Sequence, residues 1–232
     1  MSEDQSDDQR DTQDDDPRRV LTGHELETEL LADWRLLFST LHARFETGDF
    51  ATGVRLVDAI GEAAEEADHH PDIDLTYPRV TVRLTSHDVG GVTSRDVALA
   101  RRISDLAGSL GATPEPAGVS VLELGLDTWD ADEIKPFWIA LLGYEATDDD
   151  VELVDPTGTR PTIWFQETEQ HETPRQRWHL DLRIPPEEAD GRIRAALAAG
   201  GTMVSDAVAP RFWVLADPQG NQACITTWIG RS

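Results

Sequence analysis

The chain has 232 residues, with 45 acids against 20 strong bases and a formal net charge of -25 at pH 7. A surface of that sign repels phosphate backbones and anionic headgroups, which excludes nucleic acid and membrane as expected partners. The one cysteine, Cys224, allows no internal disulfide, so the expected compartment is a reducing cytoplasm.

In chain order, residues 1–20 read as a disordered acidic tail, with eight acids before Pro17 and no apolar periodicity. The tail lacks the basic and apolar regions of a secretory leader, and no apolar run approaches the roughly 20 residues that span a bilayer. A first folded unit is expected over 21–111. It opens with a short helix over Gly23–Leu31, followed by strands over Trp34–Phe38 and Leu41–Phe45. Asp49 is placed to cap a helix whose apolar stripe is Phe50, Val54, Val57, Ile60, Ala64 and Ala67. That helix must stop before Pro71, because the residue preceding proline is pushed out of the helical region. Val80, Val82 and Leu84 alternate with Thr81, Arg83 and Thr85, the pattern of a half-buried strand. Gly90-Gly91 marks a turn. Thr93 with Asp96 forms a capping box for a last helix that buries Leu99, Ile103, Leu106 and Leu110.

Residues 112–118, with Pro114 and Pro116, read as a linker to a second unit over 119–232. This unit repeats itself. A strand over Val119–Leu126 precedes a helix capped by Asp130 and carrying Ile134, Phe137, Trp138 and Leu141; Asp155-Pro156-Thr157-Gly158 is a later turn. A strand over Trp178–Ile184, a helix opened by Pro186 and closed by Gly200-Gly201, and the turn Asp217-Pro218-Gln219-Gly220 repeat the series. Two strand–helix–hairpin units predict a duplicated βαβββ domain.

The richest chemistry is an ordered run: Glu65, three residues, His69-His70-Pro71, five residues, Tyr77, nine residues, His87, eight residues, Asp96. Imidazole is the side chain whose charge changes nearest neutral pH, so three such rings at one pocket can move protons both ways. This run resembles the signature of the pterin-4a-carbinolamine dehydratases. The second unit resembles the glyoxalase/bleomycin-resistance group through Phe137-Trp138, Leu141-Leu142-Gly143, His179-Leu180-Asp181 and Asp217-Pro218-Gln219-Gly220-Asn221. The expected fold class is α+β: an antiparallel sheet with helices on one face, then a paired βαβββ domain.

The first resemblance implies dehydration of a 4a-hydroxytetrahydropterin to a quinonoid dihydropterin, alongside an aromatic amino-acid hydroxylase pathway, with no metal or organic cofactor. It implies His69, His70 and His87 as the proton-transfer set, Glu65 and Asp96 as supporting acids, Pro71, Asp72 and Tyr77 as substrate-binding positions, and homo-oligomerisation through the first unit. His70 and His87 are expected to make the main transfers, with His69 binding substrate or sharing a proton; residue spacing alone leaves that division open. On a continuous helix Glu65 would lie beside His69, four residues on. The same resemblance leaves room for a non-catalytic dimerisation or assembly factor. In the second unit, Glu123 and His179 fall where related folds place metal ligands, but Cys224 or Gln222 stands where a carboxylate is usual. No metal is therefore expected there, and lyase or small-molecule binding activity is the remaining alternative. Six of the seven tryptophans fall in that unit, expected as core or as a platform for a planar ligand.

Overall fold

A computed structural model describes residues 16–147, 151–170, 180–184, 186–227 and 229. The expectations for the tail before residue 16, and for Trp178, His179 and Trp228, fall outside them. The chain divides into two compact units, Met1–Val121 and Leu122–Ser232. Among the described residues no helix is long and apolar enough to cross a membrane.

In the first unit, a Thr22–Glu25 capping box starts α1 (Gly23–Thr28). β1 (Trp34–Leu37) and β2 (Thr40–Glu46) follow, then α2 (Phe50–Ala67), β3 (Asp72–Thr76), β4 (Arg79–Leu84) and α3 (Ser94–Ser109). The strands form an antiparallel sheet in the order β1-β2-β4-β3. Alternation decides its faces. Leu41, Ala43, Phe45, Val80, Val82 and Leu84 share one buried core with Leu56 and Ile60 of α2 and Leu99 and Ile103 of α3. This is the expected α+β layering.

Two local expectations are corrected. Of the expected stripe, Ile60 and Ala64 are buried, but Phe50 and Val54 are 51% and 47% exposed and Ala67 is exposed; Thr52, Gly53, Leu56 and Ala63 complete the buried face of α2. The helix turns its small residues inward because it lies close on the sheet: a Cβ on Gly53 would sit 2.6 Å from Leu75 Cδ1. The second is the number of strands: β3 adds one to those expected, with Ile73 and Leu75 alternating with exposed Asp72, Asp74 and Thr76. Within the stretch expected as a linker, β5 (Thr113–Pro114) pairs with β2, and the Glu115 N–H donates to the Arg44 carbonyl.

The second unit holds two copies of one motif. The first is β6 (Glu123–Thr128), α4 (Ala131–Leu142), β7 (Glu145–Ala146), β8 (Glu152–Val154) and β9 (Thr162–Glu167). The second is β10 (Leu180–Arg183), α5 (Pro186–Ala198), β11 (Thr202–Ser205), β12 (Phe212–Ala216) and β13 (Gln222–Thr226). Each half-sheet has the same order, β6-β9-β8-β7 and β10-β13-β12-β11, and in each the first strand runs parallel to the last. One core joins them, with Ile134, Phe137, Trp138 and Leu141 of α4 against Ile193 and Ala196 of α5. Gly201 is required there, since a Cβ would lie 2.4 Å from the Phe137 ring and 2.8 Å from the Ala196 carbonyl oxygen.

The repeated Asp-Pro turns differ in their charge environment. Asp155 accepts bonds from the backbone and hydroxyl of Thr157 and of Thr159 and from the backbone and guanidinium of Arg160. These donors, the Arg160 guanidinium foremost, hold its carboxyl far below the usual carboxylate range. Asp217 instead faces the Trp138 indole N–H at 3.2 Å and the Asn221 amide at 2.8 Å, and burial pushes its carboxyl up. A carboxyl lowered by folding stabilises the native state above its unfolded value of 3.8 and loses that contribution as pH falls toward the folded value. Asp217 works in the opposite sense, gaining as pH falls. Asp155→Asn is therefore expected to lower Tm at neutral pH and to flatten the loss of Tm below about pH 4. An acid limb as steep as that of the unsubstituted protein would overturn this account.

Candidate active site

The site begins where α2 ends. Asp68 adopts a left-handed conformation, φ 46°, and the His69 N–H turns back onto the Ala64 carbonyl at 3.1 Å. This turn breaks the helical register before the histidines. Consecutive side chains then leave in opposite senses. His69 is buried, 8% exposed, whereas His70 stays at the surface. Glu65 consequently meets His70 and not His69, with Oε1 3.2 Å from His70 Nε2. The expected Glu65–His69 pair required a helix continuous through residue 69.

His69 is held by Asp96, in the first turn of α3 and 0% exposed. Asp96 Oδ2 accepts from Ser86 Oγ at 2.7 Å, from the Thr93 N–H at 2.7 Å and from Thr93 Oγ1 at 3.1 Å. Oδ1 lies 2.7 Å from His69 Nε2. With three donors on one oxygen, the carboxylate acts as an acceptor, so a proton stands on His69 Nε2 and Nδ1 is the ring nitrogen that faces away from Asp96. Among the described residues no hydrogen bond reaches Nδ1. A mostly buried imidazole thus presents one open nitrogen, with a buried carboxylate behind it.

The β3–β4 hairpin delivers the third imidazole. Asp72 pairs with Arg83, so the chain after Leu84 returns beside Pro71 and Asp72. Ser86 then closes a tight loop: its N–H donates to the Gly91 carbonyl at 3.0 Å, and its carbonyl accepts from Val89 at 3.1 Å and Gly90 at 2.9 Å. His87 sits on that loop, exposed. Among the described residues no hydrogen bond or ion pair joins its ring to another side chain. Glu65, His69, His70, Pro71, Asp72, His87 and Asp96 are therefore gathered at one end of the sheet. Tyr77 is not. It follows β3 at the far end, about 17 Å away at roughly 3.3 Å per residue, and is 72% exposed. The antiparallel hairpin that brings His87 back carries Tyr77, expected as a substrate-binding position, to the other end of β3.

A groove of about 590 Å³, lined by Leu26, Leu30, Trp34, Leu36 and Leu41 among others, lies along β1 at the opposite edge of the sheet and contains none of these residues. Reading the sequence missed Ser86 as a partner of Asp96. The Thr93–Asp96 capping box was legible, but nothing in the spacing shows that the same carboxylate also accepts from a strand end and from a helix end.

In the second unit Cys224 is buried, and burial first, then a hydrogen bond with Asp181, pushes its thiol up to about 11. Among the described residues no three His, Cys, Asp or Glu side chains form a metal-sized group. Trp138 is core, and Trp164 lies over Gly125, 37% exposed.

With this geometry in place, comparison with known proteins gives the family. Residues 19–106 match the model of pterin 4 alpha carbinolamine dehydratase, and residues 123–226 match that of a glyoxalase-like domain. A protein of Koribacter versatilis (strain Ellin345), named for the same dehydratase, is 42% identical over 90 residues, which cover 38% of this chain and 96% of that protein. The chain belongs to the pterin carbinolamine dehydratase family. A solved structure described as a transcriptional coactivator/pterin dehydratase from Brucella melitensis is 32% identical to this dehydratase-family chain. It covers 39% of the chain and 100% of its own length, with a TM-score of 0.37. A glyoxalase/bleomycin resistance protein/dioxygenase family enzyme from Burkholderia phytofirmans PsJN is similar at 17% identity, over 45% of this chain and 95% of its own, with a TM-score of 0.37. By the two matched models, this family member joins a dehydratase-family domain to a glyoxalase-like one.

Proposed function

We propose that the first unit dehydrates a 4a-hydroxytetrahydropterin to the quinonoid dihydropterin by imidazole acid–base catalysis. The observation that carries this reading is the buried His69–Asp96 pair with His69 Nδ1 left open, at the sheet end to which the hairpin returns His87. In the reaction the bond from C4a to the hydroxyl oxygen breaks, its electron pair leaves on oxygen, and a delivered proton makes water. N5 gives up its proton, and the electron pair freed there closes the N5–C4a double bond. One group must accept a proton and another must donate one, so no net charge accumulates.

His69 suits the accepting role. Its Nε2–H is fixed, its Nδ1 is bare, and the Asp96 carboxylate compensates the positive charge that the ring gains on taking a proton. His70, 3.2 Å from Glu65, and His87 are the groups that donate to the departing hydroxyl. This assignment moves the principal proton acceptor from His70 or His87 to His69, because burial against a carboxylate distinguishes that ring from its neighbours. No metal enters the scheme.

The test is a stopped-flow assay on enzymatically generated 4a-hydroxytetrahydropterin. The protein is expected to accelerate its decay well above the buffer rate. Decay no faster than in buffer would remove the dehydratase reading and leave a non-catalytic role for the family fold.

A further inference from the structure

Ser86 stands at the junction of the two halves of this site. Its side chain, 1% exposed, donates to Asp96 Oδ2 at 2.7 Å and lies 2.9 Å from Thr93 Oγ1. Its backbone closes the loop that carries His87, through bonds to Gly91, Val89 and Gly90. One residue therefore ties the carboxylate behind His69 to the loop that displays the other imidazole. We propose that Ser86 is a positioning residue for the proton transfer: its hydroxyl holds Asp96 so that Oδ1 faces His69 Nε2, which keeps Nδ1 the reacting nitrogen, and its backbone fixes the His87 loop on the same carboxylate. The inference rests on the dehydratase reading for its kinetic consequence, but not for its structural one.

The physical basis is the number of donors at Asp96. Oδ2 accepts three bonds, of which the Thr93 pair belongs to the cap of α3 and follows that helix. Ser86 supplies the donor that comes from the sheet. Without it the carboxylate is referenced to α3 alone. His69, which enters from the end of α2, then loses its fixed angle to β4 and to the His87 loop. A threonine keeps the hydroxyl. A cysteine keeps most of the shape but donates weakly. Alanine removes the donor outright.

The experiment compares the full-length unsubstituted protein with Ser86→Thr, Ser86→Cys and Ser86→Ala. Two readouts are taken: exchange with water of the His69 ring N–H, followed by nitrogen-15 NMR, and kcat and KM for dehydration. In the unsubstituted protein the ring N–H is expected at Nε2 and slow to exchange. Ser86→Cys and Ser86→Ala should speed that exchange at least about tenfold and lower kcat about tenfold with KM little changed; Ser86→Thr should restore both. Exchange and kcat within twofold of the unsubstituted protein in Ser86→Cys would overturn the proposal even if Ser86→Ala does not fold, and so would a ring proton found on Nδ1. The NMR arm needs no turnover. An inactive protein whose His69 N–H still responds to Ser86 would sink the dehydratase reading and leave this coupling standing.

Discussion

Asp96→Ala is expected to cost about 4 kcal/mol of stability, the largest single-residue loss in the first unit. The carboxylate has no exposed surface and accepts from Ser86, from the backbone and hydroxyl of Thr93, and from His69. Removing it abolishes the capping box of α3, worth about 1 kcal/mol. It also leaves buried donors unsatisfied, each at roughly 1–3 kcal/mol, with some relief as Ser86 and Thr93 turn toward each other. These costs converge on one point because a single side chain serves helix, strand end and histidine together. Urea unfolding would measure the effect, and a loss under about 1 kcal/mol would show that the network is not held as described.

His69→Ala is expected to lower kcat by on the order of 100-fold or more. The same change at exposed His70 should cost less, because His87 can still donate to the departing hydroxyl. His69 has one nitrogen committed to Asp96 and one open, whereas His70 is a surface ring whose partner, Glu65, is itself 80% exposed at its side chain. A surface pair of that kind is held weakly and positions its ring poorly. Because His69 is buried, its removal leaves a space that free imidazole can enter, so added imidazole should recover part of the lost rate. A loss below about tenfold, with no rescue, would move the accepting role to His70 or His87. Unfolding midpoints taken alongside separate this effect from simple loss of fold.

Much of the architecture was legible in the order of residue types. The capping box at Thr93, the alternation in β4 and the repeated strand–helix–turn series follow from local rules of hydrogen bonding and periodicity. Such rules act over a few residues and need no knowledge of neighbours. The stripe of α2 shows where they stop. Phe50 and Val54 lie at helical spacing, yet packing distance placed Gly53 against the sheet and turned those two outward.

The order of three imidazoles and two acids, the α+β character of the first unit and the duplicated βαβββ motif of the second are all readable from residue order. Which acid stands beside which ring, the bond from Ser86 to Asp96 and the distance of Tyr77 from the histidines come from the folded chain. The reason is physical. Spacing along a helix predicts partners only while the helix continues, and here it ends in a left-handed turn at Asp68, just before the histidines. Beyond that turn, partners are set by what the hairpin and α3 bring into reach, which are contacts between residues 10 to 27 positions apart in the chain.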